Sequence, residues 1–213
     1  MERPILLVLI LLVTIISCKK EEKIDNNTFT DSRDGQLYET VTIGNQTWFA
    51  ENLNFETSDS WCIDTNTLNC NTYGRLYDWN AALTACPNGW HLPSDDEWKE
   101  LELLLGVSNI DIDSTGARGT NQGGQLKETG VSHWKSPNAG ATNITGFNAL
   151  PAGCYLTVSS ESVYFTEGGW WWTSTDYTDE YALNRHLWYD DSKIHRLFYN
   201  KKGAGFSVRC VKD

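Results

Sequence analysis

Cys86, His91, Asp95, Asp96 and Glu97 stand within one short stretch, ACPNGWHLPSDDEW, residues 85–98. A thiol, an imidazole and three carboxylates this close together suggest two chemistries: a metal site, or a nucleophile served by a general base. Neither pattern is complete. His91, His133, His186 and His195 show no H-x-x-x-H or H-E-x-x-H spacing. No cysteine sits in a C-x-x-C pair, so no zinc signature exists. Three consecutive acids in the first turn of a helix point in different directions and make a poor shared metal site. No G-x-S-x-G, phosphate loop or paired-carboxylate signature occurs. The stretch is therefore expected to be scaffold, and no catalytic residue, metal or cofactor is assigned.

Two helices position it. Asp78 can cap the first, in which Trp79, Ala82, Leu83 and Cys86 recur at i, i+3, i+4 and i+7. Pro87 and Asn88-Gly89 stop it. Ser94 and Glu97 form the S-x-x-E capping box of the second, with Pro93 and Trp98 at staple spacing. Asp95, Asp96 and Glu97 then fall where the helix dipole favours negative charge. Trp98, Leu101, Leu104 and Leu105 are the expected buried stripe, and Gly106 ends it.

The flanking segments read as strands and loops. Leu37, Val41 and Ile43 share one side of an extended run, and Gly44-Asn45 supplies a hairpin turn into residues 46–50. Residues 106–148 are rich in Gly, Thr, Asn and Ser and are expected to be long loops. Strands are expected at 149–156, 169–174, 181–189, 193–199 and 205–211. In the last of these Phe206, Val208 and Cys210 share a face. Cys86 and Cys210 both point at the core and are the obvious pair; closing so long a loop is worth about 4–5 kcal/mol in the chain-entropy model. Cys62 and Cys70 bracket a short polar loop that a second bridge would staple.

The N-terminus reads as an export signal. Pro4 to Ile16 is apolar apart from Thr14, and shorter than a membrane span. Ser17-Cys18 after that run resembles a bacterial lipobox, in which the cysteine is acylated and becomes the mature N-terminus. Residues 1–17 are thus expected to be a lipoprotein signal peptide and Cys18 the lipidation site. A membrane is then a partner through the anchor, and the location the outer membrane, periplasmic or surface-exposed. Residues 18–33 are polar and are expected to be a flexible tether. Residues 34–213 suit one domain. Export makes disulfides natural. The net charge of −11 is a poor match for nucleic acid.

WFAENLN, YGRLYDWNAALTACPNGWHLPSDDEW, GFNALPAG, WWWTST and GFSVRC occur in this order. That series resembles the Fibrobacter succinogenes major paralogous domain, a family of secreted and lipid-anchored proteins. More distantly, Gly89 to Trp98 and Gly205 to Arg209 look like segments of the C-type lectin-like fold used by formylglycine-generating enzymes. The resemblance implies an α+β, C-type lectin-like fold with two helices, short antiparallel strands and long loops. It also implies a bridge from the first helix to the last strand, where Cys86 and Cys210 fall. Family members commonly read L-P-G-G-Y-R where this chain has LPAGCY, so Cys154 is an addition and is left as the free thiol.

The enzymatic activity of that superfamily is not carried over, because it uses a late pair of cysteines and only Cys210 stands there. Calcium-dependent sugar binding is not expected either, since Ser136-Pro137-Asn138 lacks the acid of that motif and Trp188 to Asp191 is not W-N-D. What is left is binding through aromatic side chains. Trp134, Trp170, Trp172, Tyr177 and Trp188 are the candidates, with a glycan or a surface protein as ligand. The alternative is a structural envelope-assembly lipoprotein; an enzyme of altered chemistry is the least favoured.

Overall fold

A computed structural model describes residues 26–213. In chain order the elements are β1 (Asn26–Thr30), β2 (Leu37–Ile43), β3 (Gln46–Phe49), β4 (Ser60–Trp61), α1 (Thr67–Tyr73), β5 (Leu76–Tyr77), α2 (Trp79–Ala85), β6 (Trp90–His91), α3 (Asp95–Leu104), β7 (Gly116–Arg118), α4 (Gln122–Leu126), β8 (Cys154–Leu156), β9 (Glu161–Val163), β10 (Gly168–Asp176), β11 (Tyr181–Trp188), β12 (Ile194–Asn200), β13 (Ala204–Ser207) and β14 (Val211–Lys212). The fold is mixed α+β, mostly sheet, with four short helices rather than two, and long loops. One sheet runs β1-β2-β3-β14-β6. The other runs β4-β5-β13-β10-β11-β12-β7, with the β8–β9 hairpin paired to β13. Among the described residues no helix is long and apolar enough to cross a membrane. Cys18 and the signal lie outside the described residues.

The tether ends earlier than its composition implies. Asn26–Thr30 pairs antiparallel with β2, Thr30 opposite Leu37. Phe29 packs its ring on Phe49 and Trp90 at 5.8 and 5.4 Å. Asp31 is buried and ion-paired to Arg33 at 2.6 Å. One aromatic ring and a row of ladder hydrogen bonds are enough to hold a polar edge strand, so residues 26–33 belong to the domain.

The helix stripes are shifted from the expected ones. On α2 the buried residues are Trp79, Ala82 and Ala85, and Leu83 faces out. On α3 Trp98 and Leu101 are buried, but Leu104 is 56% exposed. The same face instead buries Asp95 and Glu102. The Ser94–Glu97 capping box forms as the spacing requires. His91 completes it, with Nε2 2.7 Å from Glu97 and Nδ1 2.6 Å from the C-terminal Asp213. Burial lowers the His91 affinity for a proton, but hydrogen bonds to Asp213 and Glu97 outweigh it and raise the pKa.

Both bridges read from the sequence form, Cys62–Cys70 and Cys86–Cys210. The second joins the end of α2 to the segment between β13 and β14. That segment is where the expected last strand splits, β13 joining the large sheet and β14 the small one. Arg209 lies in the split, fully buried. Its guanidinium donates to the carbonyls of Phe49 and Phe147 and to Asn52 Oδ1, so it ties the end of β3 and the loops at Asn52 and Phe147 together. Cys154 is free and buried, and burial pushes its thiol up to about 12.

Candidate binding site

The triple tryptophan explains the local chain. Trp170 and Trp172 face one core cluster and Trp171 the other, as strand alternation requires. The preceding Gly168-Gly169 pair leaves room for them. A Cβ on Gly168 would meet the Trp170 ring at 2.7 Å, and one on Gly169 the Trp171 ring at 2.4 Å. All three indoles pack against or within the sheet because β10 lies between β13 and β11.

Buried tryptophans normally donate their indole N–H to a partner. Trp134 is buried and donates to the Ala149 carbonyl. Trp172 is buried and donates to the Tyr77 carbonyl. Neither offers surface to a ligand, so both leave the set of candidate binding residues and join the core. Trp48, Trp79 and Trp171 are satisfied in the same way by Gln46, Thr173 and Asn52. Tyr177 is 47% exposed and lies flat on Phe198 at 4.1 Å, at the far end of the same strands.

Trp170 is also buried, at 8% exposure, and Trp188 is half-buried, but their indole N–H groups find no internal acceptor among the described residues. They meet edge to face at 5.0 Å. Tyr164 stacks on Trp170 at 5.4 Å and meets Trp188 at 5.2 Å. His186, opposite Trp170 in the β10–β11 register, lies 5.3 Å from Trp170 and 5.6 Å from Trp188. His195, opposite His186 on β12, stacks on it at 4.3 Å and holds Asp191 with Nε2 at 2.9 Å. Among the described residues the Tyr164 hydroxyl and the Trp170 and Trp188 indole N–H groups make no hydrogen bond. Both ring nitrogens of His186 are buried and also unpartnered. Burial, with the His195 charge adding to it, pulls the His186 pKa down to about 3, so the imidazole is neutral at physiological pH. It then carries one donor and one acceptor.

Tyr164 is held out over this patch against its own backbone preference. Its φ is +59°, a left-handed conformation that a bulky residue rarely adopts, and the ring is 50% exposed. Its carbonyl accepts from the Glu167 and Gly168 amides at 3.0 and 3.1 Å, and Thr166, also left-handed, bonds Pro151 and Lys135. The turn is thus over-determined by its surroundings, the condition under which strain persists at functional sites.

Beneath Trp188 lies Lys127, fully buried. Its ammonium donates to the carbonyls of Trp188 and Asp191, both at 2.9 Å, and sits 5.3 Å from the Trp134 ring centre. Burial pulls its pKa down to about 8. This lysine fixes the β11–β12 turn from which Trp188 and Asp191 project. Sequence reading singled out Trp170 and Trp188 but missed Tyr164, His186, His195 and Asp191. The alternation of His186 with Trp188 was a usable signal; nothing in the sequence marks the backbone of Tyr164.

Among the described residues no group of three or more His, Cys, Asp or Glu could hold a metal. The arrangement suits recognition instead: aromatic faces for apolar surface, and several donors and acceptors with no internal use. No curated protein and no solved structure matches the chain. The family model described as the Fibrobacter succinogenes major domain matches residues 41–212, the span that carries both bridges, Arg209 and the aromatic patch, and the chain belongs to that family.

Proposed function

We propose that this chain is a lipid-anchored envelope protein whose domain has a C-type lectin-like fold and binds a glycan, without catalysis, at the Tyr164–Trp170–Trp188 patch. The single observation that carries the binding reading is the set of unpartnered polar atoms on four clustered rings. Elsewhere five tryptophans satisfy their N–H groups internally, while that of Trp98 is buried in the core without an acceptor; what sets the patch apart is that its unpartnered groups cluster around the exposed Tyr164 ring. A sugar ring offers C–H surface to aromatic faces and hydroxyls to the Tyr164 hydroxyl and the Trp170 and Trp188 indole N–H groups. The anchor rests on the lipobox at Cys18, and the fold reading on the α2-to-last-strand bridge and the buried Arg209 of the G-F-x-x-R segment. The cysteines favour a non-catalytic role, since Cys210 is bridged and Cys154 is buried as a thiol.

The test is a glycan and protein array probed with oxidised wild-type protein and with Trp188→Ala. Retention of defined glycans by wild type and loss by the variant is the expected result. Retention only of proteins would move the ligand to the second class. Binding unchanged by Trp188→Ala would remove the patch from the account. A second reading, an assembly role in the envelope, is favoured by one observation: the exposed Tyr177–Phe198 stack with Tyr181 edge-on at 5.9 Å, which suits a protein neighbour.

A further inference from the structure

The small sheet carries a groove of its own, remote in the fold from the aromatic patch. Its volume is about 430 Å³, enough for a sugar unit. Phe29 of β1 and Trp90 of β6 form an aromatic floor, their rings 5.4 Å apart. Thr42 and Thr47, cross-strand partners on β2 and β3, present a hydroxyl pair with oxygens 3.0 Å apart. Lys212 of β14 and Asn88 of the α2–β6 turn stand at the rim.

Three features point to a ligand. The Trp90 ring is only 9% exposed, and its indole N–H makes no hydrogen bond among the described residues and stays open to solvent at the groove. The exposed Asn88 amide and Lys212 ammonium make no hydrogen bond or ion pair among the described residues. Among the described residues no carboxylate lines the groove, although the chain carries a net charge of −11. A cation without a counter-ion, in a hollow the acidic residues avoid, selects for negative charge.

We propose that this groove is a second binding site and that it takes an acidic pyranose unit, a sugar ring bearing one carboxylate. Lys212 meets the carboxylate. The Trp90 N–H, Asn88 and the Thr42–Thr47 pair hydrogen-bond ring oxygen and hydroxyls, and Phe29 lies under the apolar face.

Saturation-transfer NMR on the detergent-solubilised, oxidised full chain, with glucuronic acid and glucose as probes, tests this. Glucuronic acid is expected to receive saturation and to bind about fivefold more tightly than glucose, the worth of one exposed charge pair. Lys212→Gln, an exposed change that leaves the fold intact, is expected to erase that preference. Trp90→Phe keeps a ring but removes the N–H, and is expected to weaken both sugars about fivefold. Tyr164→Ala is expected to change neither, so failure of the aromatic patch as a glycan site leaves this result standing. Absence of transfer to glucuronic acid, equal binding of the two sugars, or a preference that survives Lys212→Gln would overturn the proposal.

Discussion

The two faces of the large sheet differ in how they handle buried charge and buried imidazole. On the face under α3, Arg185 and Arg196 point at Asp95 and Glu102. Asp95 contacts Arg185 at 2.7 Å, Arg196 at 2.8 Å and Lys99 at 3.1 Å. Glu102 contacts Arg185 at 2.5 Å and also Arg118. Burial pushes the Asp95 carboxyl up, but hydrogen bonds from Arg196 and the Arg185 charge outweigh it and hold it well below the usual range. On the other face, one strand row away, His186 is equally inaccessible at 5% exposure and has no partner at all. Polarity buried with partners specifies the fold. Polarity buried without them is a standing penalty on stability. The contrast is one of degree, since the Trp98 N–H and the Arg118 Nε on the α3 face are also buried without a hydrogen-bond partner.

The largest expected effect lies on the paired face. Glu102→Gln leaves Arg118 without its carboxylate and Arg185 with Asp95 alone, and should destabilise the protein by about 3–5 kcal/mol in chemical denaturation. A loss below about 1 kcal/mol would mean that the network relaxes into water and is not the scaffold. The unpaired face should instead reveal itself through pH. The His186 pKa is about 3 in the folded chain against 6.5 for a free histidine, so between these values only the unfolded chain takes the proton. Stability should therefore fall as pH drops from 6.5 toward 3, by up to about 1.4 kcal/mol per pH unit from this group. His186→Phe should remove that component of the slope, measured as the difference from wild type.

Lys127 sharpens the comparison from the alkaline side. Its pKa is about 8 folded against 10.5 free, so between these values the unfolded chain again holds the extra proton. Stability should rise with pH over that window, and Lys127→Met should abolish the rise. Faster hydrogen exchange at the Asp191 and Ser192 amides in the same variant would confirm that the ammonium pins the turn. The smallest stability effect is expected at the residue most exposed to a ligand. Tyr164→Gly relieves the left-handed backbone and loses the stacking on Trp170, two opposed contributions of about 1 kcal/mol each. Its melting temperature should stay close to wild type while glycan retention is lost. A large drop in melting temperature would make Tyr164 a structural residue.

Much of the scaffold was legible in the sequence because it follows local rules. The capping box, the Gly44 hairpin, helix α2 and both disulfides come from spacing alone. Leu104 and Leu83 misled because apolar type was taken as burial, while the acids at 95 and 102 occupy the buried positions of the Trp98 face. Sequence spacing places them there, but only the arginines on β11 and β12 explain why they can be buried. Trp172 could not be told from Trp170 and Trp188 by type or alternation, since a central strand is covered on both sides, and Trp134 sits in a loop where no periodicity signals burial. What divides them is whether an acceptor lies within reach of each indole N–H, and that depends on carbonyls distant in the chain: Ala149 for Trp134 and Tyr77 for Trp172. The left-handed Tyr164 and the polar strand β1 lacked any signal of composition.

One measurement bears most directly on the claim that the unpartnered aromatic face is the binding surface. It is the nitrogen-15 spectrum of the tryptophan indole groups, recorded while a glycan retained on the array is added to oxidised protein. The account expects the Trp170 and Trp188 indole resonances to move in a saturable way, with those of Trp134 and Trp172 fixed by their internal acceptors. Saturable shifts elsewhere with Trp170 and Trp188 unmoved would contradict it.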